Sequence, residues 1–118
     1  MDVTATVDAY VAAWNELDAD RRAALLDKVF SEGGTYRDPA SSISGRPALV
    51  EHIAAYQRRF TGTSMKRVSR VDAYDDVLRF GWAVVRDDET ISVQGVDFVS
   101  IAHDGKIVSV TGFFGTLD

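Results

Sequence analysis

Three side chains, Tyr10, Asp38 and Asp97, have the types and positions needed to move a proton beside a carbonyl group. Within residues 91–101, Asp97 shares the alternating phase of Ile91, Val93, Val99 and Ile101. Side chains on a strand alternate between faces, so this phase sets an acid on an apolar face, where an ionised carboxylate is costly. Such an acid is paired, or protonated and able to donate. Gly95 lies in the same strand, and a bulge there would change the phase. Tyr10 falls on the apolar stripe of the first helix, where its hydroxyl calls for an internal partner. Asp38 precedes Pro39 at the rim where a strand becomes a loop. A base at a rim, facing two neutral donors in apolar surroundings, can remove an α-proton while the donors hydrogen-bond the developing enolate oxygen.

Each residue also has a structural reading that the sequence leaves open. Asp-Pro is a common turn opener, and a core tyrosine also bonds to a backbone carbonyl. The competing class is therefore a module that only binds a hydrophobic ligand or mediates dimerisation, with structural acids. Other chemistries have less support. The chain has no cysteine, no HExxH, no GxSxG, no phosphate loop and no GxGxxG, so neither a metal nor a cofactor is expected. His103 precedes the Asp104-Gly105 turn and reads as solvated. His52 borders an apolar helical stripe and reads as a packed helix histidine.

The elements that must position these groups are legible from periodicity. With 118 residues the chain reads as one domain, and a hydrophobic fraction of 46% with only two prolines is that of an ordinary globular protein. Val7, Tyr10, Val11, Trp14 and Leu17 recur at helical spacing after caps at Thr4 or Thr6. Asp18 or Asp20 caps a second helix with Leu25, Leu26, Val29 and Phe30 on its stripe, ended by Gly33 and Gly34. A strand is predicted over 35–38 and a serine-rich loop over 40–45. A third helix starts at Pro47 and runs to about Phe60, with Leu49, Ile53 and Tyr56 inward. From Met65 the period becomes two, which predicts strands over 65–74, 77–86, 90–103 and 106–114. Helices followed by a meander of long strands make an α+β order in which one sheet curls over helices and leaves an apolar cone. Aromatic side chains would floor and wall it, and the expected substrate-binding set is Trp14, Phe30, Tyr56, Phe80, Trp82 and Phe113.

Charge and hydropathy narrow the partners. A net charge of −5 opposes nucleic acid as a partner. Five of the 13 basic residues, Arg58, Arg59, Lys66, Arg67 and Arg70, gather in one stretch that could face an anion; a solvated face balanced by Asp72, Asp75 and Asp76 is the plainer reading. No apolar run approaches the ~18 to 20 residues of a membrane span, and the amino terminus lacks a signal pattern, so a cytoplasmic location and no membrane partner are expected.

The stretch Asp8-Ala9-Tyr10-Val11-Ala12-Ala13-Trp14-Asn15, the step Tyr36-Arg37-Asp38-Pro39, the helix start Gly45-Arg46-Pro47-Ala48-Leu49, and Gly95-Val96-Asp97-Phe98 followed by Asp104-Gly105-Lys106-Ile107 together resemble the nuclear transport factor 2-like superfamily. Its SnoaL-like polyketide cyclase and ketosteroid isomerase branches are the most similar. The resemblance covers nearly the whole chain. It implies an α+β barrel, a cone-shaped curved mixed sheet wrapped around three N-terminal helices, with a deep apolar pocket and a homodimer formed through the outer sheet face. It also implies cofactor-independent acid/base chemistry next to a carbonyl of a hydrophobic, steroid- or polyketide-like substrate. In ketosteroid isomerase a strand-ending Asp-Pro aspartate is the base, and a tyrosine and a neutral aspartic acid stabilise the oxyanion. By that resemblance the roles fall on Asp38, Tyr10 and Asp97. The supporting tyrosines of the isomerase are replaced here by Phe30 and Ile53. A limonene-type epoxide hydrolase ranks third, because its Asp-Arg-Asp set would need a carboxylate where Gly81 follows Arg79.

Overall fold

The structure, a computed structural model, describes residues 2–115. Helix α1 (Val3–Asn15) is capped by Asp2 rather than by Thr4 or Thr6, because the Asp2 carboxylate accepts hydrogen bonds from Thr4 N and Ala5 N at 3.0 and 3.2 Å. Its buried stripe includes Val7, Tyr10, Val11 and Trp14. Asp18 caps α2 (Ala19–Val29) by accepting from Arg21 N at 3.0 Å. That helix stops before the glycines. Phe30 is already extended and opens β1 (Phe30–Asp38), so Gly33 and Gly34 lie within a strand. A Cβ at Gly34 would sit 2.6 Å from the Phe30 ring, so this glycine serves close packing and not helix termination. The serine-rich stretch forms a further strand, β2 (Ser41–Ser44), antiparallel to β1, before Pro47 enters the first turn of α3 (Arg46–Arg59).

Polar side chains lock the three helices together. Arg22 is buried and donates to Glu16 O, Leu17 O and Gln57 Oε1, at 3.0, 3.2 and 2.6 Å. Gln57 of α3 in turn donates to Trp14 O and Glu16 O. A cation thus sits at the carbonyl end of α1, where the helix dipole favours it. Asn15 exchanges two hydrogen bonds with the Met65 backbone, fixing the end of α1 against the sheet.

The remaining strands are β3 (Thr63–Arg67), β4 (Asp72–Tyr74), β5 (Val77–Arg86), β6 (Ile91–Ile101) and β7 (Ile107–Phe114). The sheet order is β2-β1-β7-β6-β5-β3, with β4 also on β5; the β1–β7 pairing is parallel and the others are antiparallel. Edges β2 and β3 do not meet, so this mixed sheet of seven strands is an open cone and not a closed barrel. The strand predicted over 65–74 is two strands, both laid along the same edge of β5. Among the described residues no helix is long and apolar enough to cross a membrane.

Two bulges decide which side chains face inward. In β6, Val93 pairs with Val84 but Ile91 pairs with Val85, so Ser92 is the extra residue and Ile91 leaves the inward phase, 51% exposed. In β7, Ser109 pairs with Ser100 and Ile107 with Ile101, so Val108 is extra. Val110 and Gly112 therefore face in. Phe113, expected among the substrate-binding aromatics, lies on the outer face, 55% exposed and edge-on to Phe98 at 5.7 Å.

No bulge occurs at Gly95, which pairs in register with Trp82 and Phe114. A Cβ there would overlap the Phe113 carbonyl oxygen and lie 2.6 Å from the Trp82 indole. Glycine is needed so that the Phe113 carbonyl and the Trp82 indole can both close on β6. Gly95→Ala is expected to destabilise the fold by about 2 to 3 kcal/mol, the scale of an overpacked core, and to shift Trp82 fluorescence. Urea unfolding checks it; a change under about 0.5 kcal/mol, typical of a surface substitution, would refute the packing argument.

Candidate active site

One row across the inner face brings the two acids together. Asp97 on β6 pairs with Gly112 on β7 and, on its other side, with Phe80 on β5. Because β1 runs parallel to β7 with Arg37 beside Thr111, Asp38 falls beside Gly112. A Cβ at Gly112 would lie 2.8 Å from Asp97 Oδ1 and 3.6 Å from the Asp38 Cβ. The two acids thus flank a position that has no side chain, on one face of the sheet.

Their environments differ. Asp97 is buried, and its Oδ1 accepts from Trp82 Nε1 at 2.9 Å. Burial pushes its carboxyl up to about 7; the nearby Asp38 adds to that rise and the Trp82 hydrogen bond opposes it. At neutral pH the acid is present in both forms, and Oδ2 is the oxygen left to carry the proton. Asp38 is half-buried at the rim; its Oδ2 accepts from Tyr36 Oη at 2.6 Å and its Oδ1 from Ala40 N at 2.8 Å. These bonds fix the carboxylate and leave further lone pairs on both oxygens. Burial, then Tyr10 and the hydrogen bond to Asp38, raise the Tyr36 hydroxyl far above the usual phenol range, so it remains a donor.

Both acids face a cavity of about 340 Å³. Trp14, Tyr56 and Trp82, three of the six aromatics expected there, line it. Phe30 and Phe80 do not; they are buried in the core, Phe30 stacked on Tyr10 at 6.5 Å. Tyr10 is also buried and off the wall, and its hydroxyl has no partner of full hydrogen-bond geometry, only the Trp14 indole beside it. Burial raises the Tyr10 phenol well above its ordinary range; the charges of Asp97 and Asp38 add to this, and the Trp14 indole acts against it. Tyr10 is therefore a neutral phenol in the field of both acids. Trp14 Nε1 and Tyr56 Oη, from wall residues, are likewise buried without a partner of full hydrogen-bond geometry, their nearest polar neighbours being Tyr10 and Thr63.

The wall also holds Tyr36, His52, Arg59 and Phe114, which lie outside the expected substrate-binding set. Tyr36 stands two residues before Asp38 and so shares its face, a signal present in the alternation. His52 lies against Tyr36 at 5.4 Å and Trp14 at 5.9 Å. Burial holds its imidazole below the ordinary range, against the pull of Asp38, so it is neutral near pH 7. Arg79, the arginine of the epoxide hydrolase reading, is on the outer face in an ion pair with Asp72 at 2.9 Å, away from the cavity. Among the described residues no three His, Cys, Asp or Glu side chains gather as a metal site requires.

An open α+β cone of three helices and a mixed seven-stranded sheet is the nuclear transport factor 2-like fold. The SnoaL-like domain model matches residues 7–110, and the chain belongs to that family. A candidate isomerase of the SnoaL-like family from Agrobacterium tumefaciens strain C58 is 29% identical, with a TM-score of 0.90 over 96% of this chain and 97% of that one. A nuclear transport factor 2-like protein of unknown function from Exiguobacterium sp. 255-15 is 19% identical, with a TM-score of 0.75 over 95% of this chain and 99% of the other. A candidate polyketide cyclase from Sinorhizobium meliloti is 14% identical, with a TM-score of 0.71 over 95% and 99% of the two chains. No curated protein matches the sequence.

Proposed function

We propose that the protein is a cofactor-independent acid/base enzyme that moves a proton next to the carbonyl of an apolar, polycyclic or polyketide-like substrate. The observation that carries this reading is the juxtaposition of two acids of different character on either side of Gly112, facing one largely apolar cavity. Asp38, held by Tyr36 and Ala40 N, is the base that takes the α-proton. Asp97 in its neutral form donates to the enolate oxygen as charge develops there. The second donor comes from the wall, where Trp14 Nε1 and Tyr56 Oη lack a hydrogen-bond partner of full geometry; Tyr10, off the wall, does not touch the substrate. A buried donor without a partner is costly in the resting protein, and an arriving oxygen recovers that cost. The cavity size lies within the roughly 300–1,000 Å³ of small-molecule sites.

Double-bond isomerisation and aldol-type cyclisation share this first step. The test is to offer a β,γ-unsaturated steroid ketone and follow the conjugated product in the ultraviolet. Conversion is expected to exceed the buffer rate by at least about 10²-fold, the contribution of one positioned base. Conversion at the buffer rate, with the ketone nevertheless bound, would leave the cavity a binding module. We further propose a homodimer through the outer sheet face, supported by the exposed pair Phe98 and Phe113.

A further inference from the structure

The basic stretch of residues 58–70 resolves into paired and unpaired charges. Lys66 pairs with Glu89 at 3.8 Å, Arg67 with Asp8 at 2.8 Å, and Arg70 with Asp72 at 3.6 Å. Among the described residues Arg58 and Arg59 have no carboxylate within ion-pair distance, and of the five only Arg59 lines the cavity. Its guanidinium stands 5.9 Å from the centre of the Phe60 ring, close enough for a cation–π contact that orients it. Phe60, itself on the wall, stacks on Tyr56 at 5.0 Å. The cation thus rests beside an aromatic ledge at the exposed mouth of the cavity.

Helix α3 sets the distance from this cation to the chemistry. His52, Ala55, Tyr56 and Arg59 follow one another at spacings of three, one and three along the cavity side of the helix. His52 marks the end beside Tyr36, whose hydroxyl binds Asp38. Seven residues further on, at a rise of 1.5 Å each, Arg59 stands about 10 Å along the axis. The cavity runs between an acid end and a cationic end. Apart from Arg59 and the neutral His52, its ionisable side chains are Asp38 and Asp97; the carboxylate of Asp38, and Asp97 whenever it ionises, disfavour a bound anion unless that anion sits far from them.

We infer that the substrate is an amphiphilic ketone whose apolar body ends in a carboxylate, bound by Arg59 at the end of the cavity remote from Asp38 and Asp97. This rests on the proton-transfer reading of the site and extends it to substrate class. A carboxylate is favoured over a phosphate because a single guanidinium balances one negative charge, while a dianion would add to the repulsion from the Asp38 carboxylate. Arg59 is exposed at the mouth, so the anion keeps part of its hydration and the contribution is moderate.

The test compares two phenols as enolate mimics by isothermal titration: a plain naphthol, and a hydroxynaphthoate with hydroxyl and carboxylate at opposite ends of the rings. Wild type is expected to bind the hydroxynaphthoate roughly tenfold more tightly, the scale of one charge-assisted hydrogen bond. Arg59→Gln is expected to bring the two affinities together, while Arg58→Gln, one residue away and off the cavity, keeps the preference. Equal wild-type affinities, or a preference that survives in Arg59→Gln, overturn the inference and leave the site reading standing. Failure of either phenol to bind overturns the oxyanion reading and the substrate class with it.

Discussion

Asp38→Asn is expected to slow proton abstraction by about 10²- to 10⁴-fold, the range for loss of a positioned general base, while the protein remains folded. The substitution separates chemistry from architecture because of how the side chain is held. Oδ1, which accepts from Ala40 N and shapes the turn at Pro39, has a counterpart in asparagine. Oδ2, which accepts from Tyr36, becomes an amide nitrogen toward which the phenol must turn its lone pair. The stability cost is that of one rearranged hydrogen bond, about 1 kcal/mol. Initial rates with the unsaturated ketone, set beside urea unfolding of the same preparation, check both halves. A variant as fast as wild type would remove Asp38 as the base. Equal slowing with a large loss of stability would make it a turn residue whose chemistry is incidental.

The sequence exposed the acids more clearly than the cavity that uses them. Asp97, Val99 and Val93 do share a face, as alternation predicted, but Ile91 does not, because Ser92 bulges out of the β5–β6 ladder. Gly95 was the suspected bulge, and its glycine instead makes room for the Trp82 indole that bonds to Asp97. Phe113 shows the limit of period-two reading. Counted from buried Ile107 it faces in, and the bulge at Val108 turns it out while Gly112 takes the inward place between the acids. A bulge depends on register against a neighbouring strand, which one strand's own sequence does not encode. His52 reads as a packed helix histidine in the sequence and is a cavity wall residue in the structure, for a related reason. Leu49 and Ile53 mark the core side of α3, and His52 lies on an adjoining side that becomes a wall only once β1 and the end of α1 are placed opposite it. The asymmetry of Asp38 and Asp97 is only half local: the partners of Asp38, Tyr36 and Ala40, stand two residues away, whereas the burial of Asp97 beside Trp82 depends on the assembled sheet.

That asymmetry leads to the second large effect, in the pH dependence of stability. Burial raises the Asp97 carboxyl from 3.8 to about 7 in the folded protein. Below pH 3.8 the group is neutral in both folded and unfolded chains and costs nothing. Above it the unfolded chain gains stability by ionising while the folded chain does not, so folding weakens until the folded carboxyl also ionises near pH 7, and then levels off. At 1.36 kcal/mol for each pH unit, about three units amount to roughly 4 kcal/mol lost between pH 4 and pH 8. Asp97→Asn keeps an Oδ1 to accept from Trp82 Nε1 and has no proton to lose. The variant is therefore expected to match wild type near pH 4 and exceed it by up to about 4 kcal/mol at pH 8. Urea unfolding across that range measures the divergence, and parallel curves would show that Asp97 titrates like a surface acid. The rate profile gives the functional counterpart. Ionisation of Asp97 removes an enolate donor, so wild-type turnover should fall as pH rises through 7, whereas the asparagine amide still donates and its profile should stay flat on that limb. A buried acid kept only for structure would leave the rate indifferent to its charge, so a rate that falls near pH 7, where the loss of stability levels off because Asp97 ionises, identifies the neutral form as the working one.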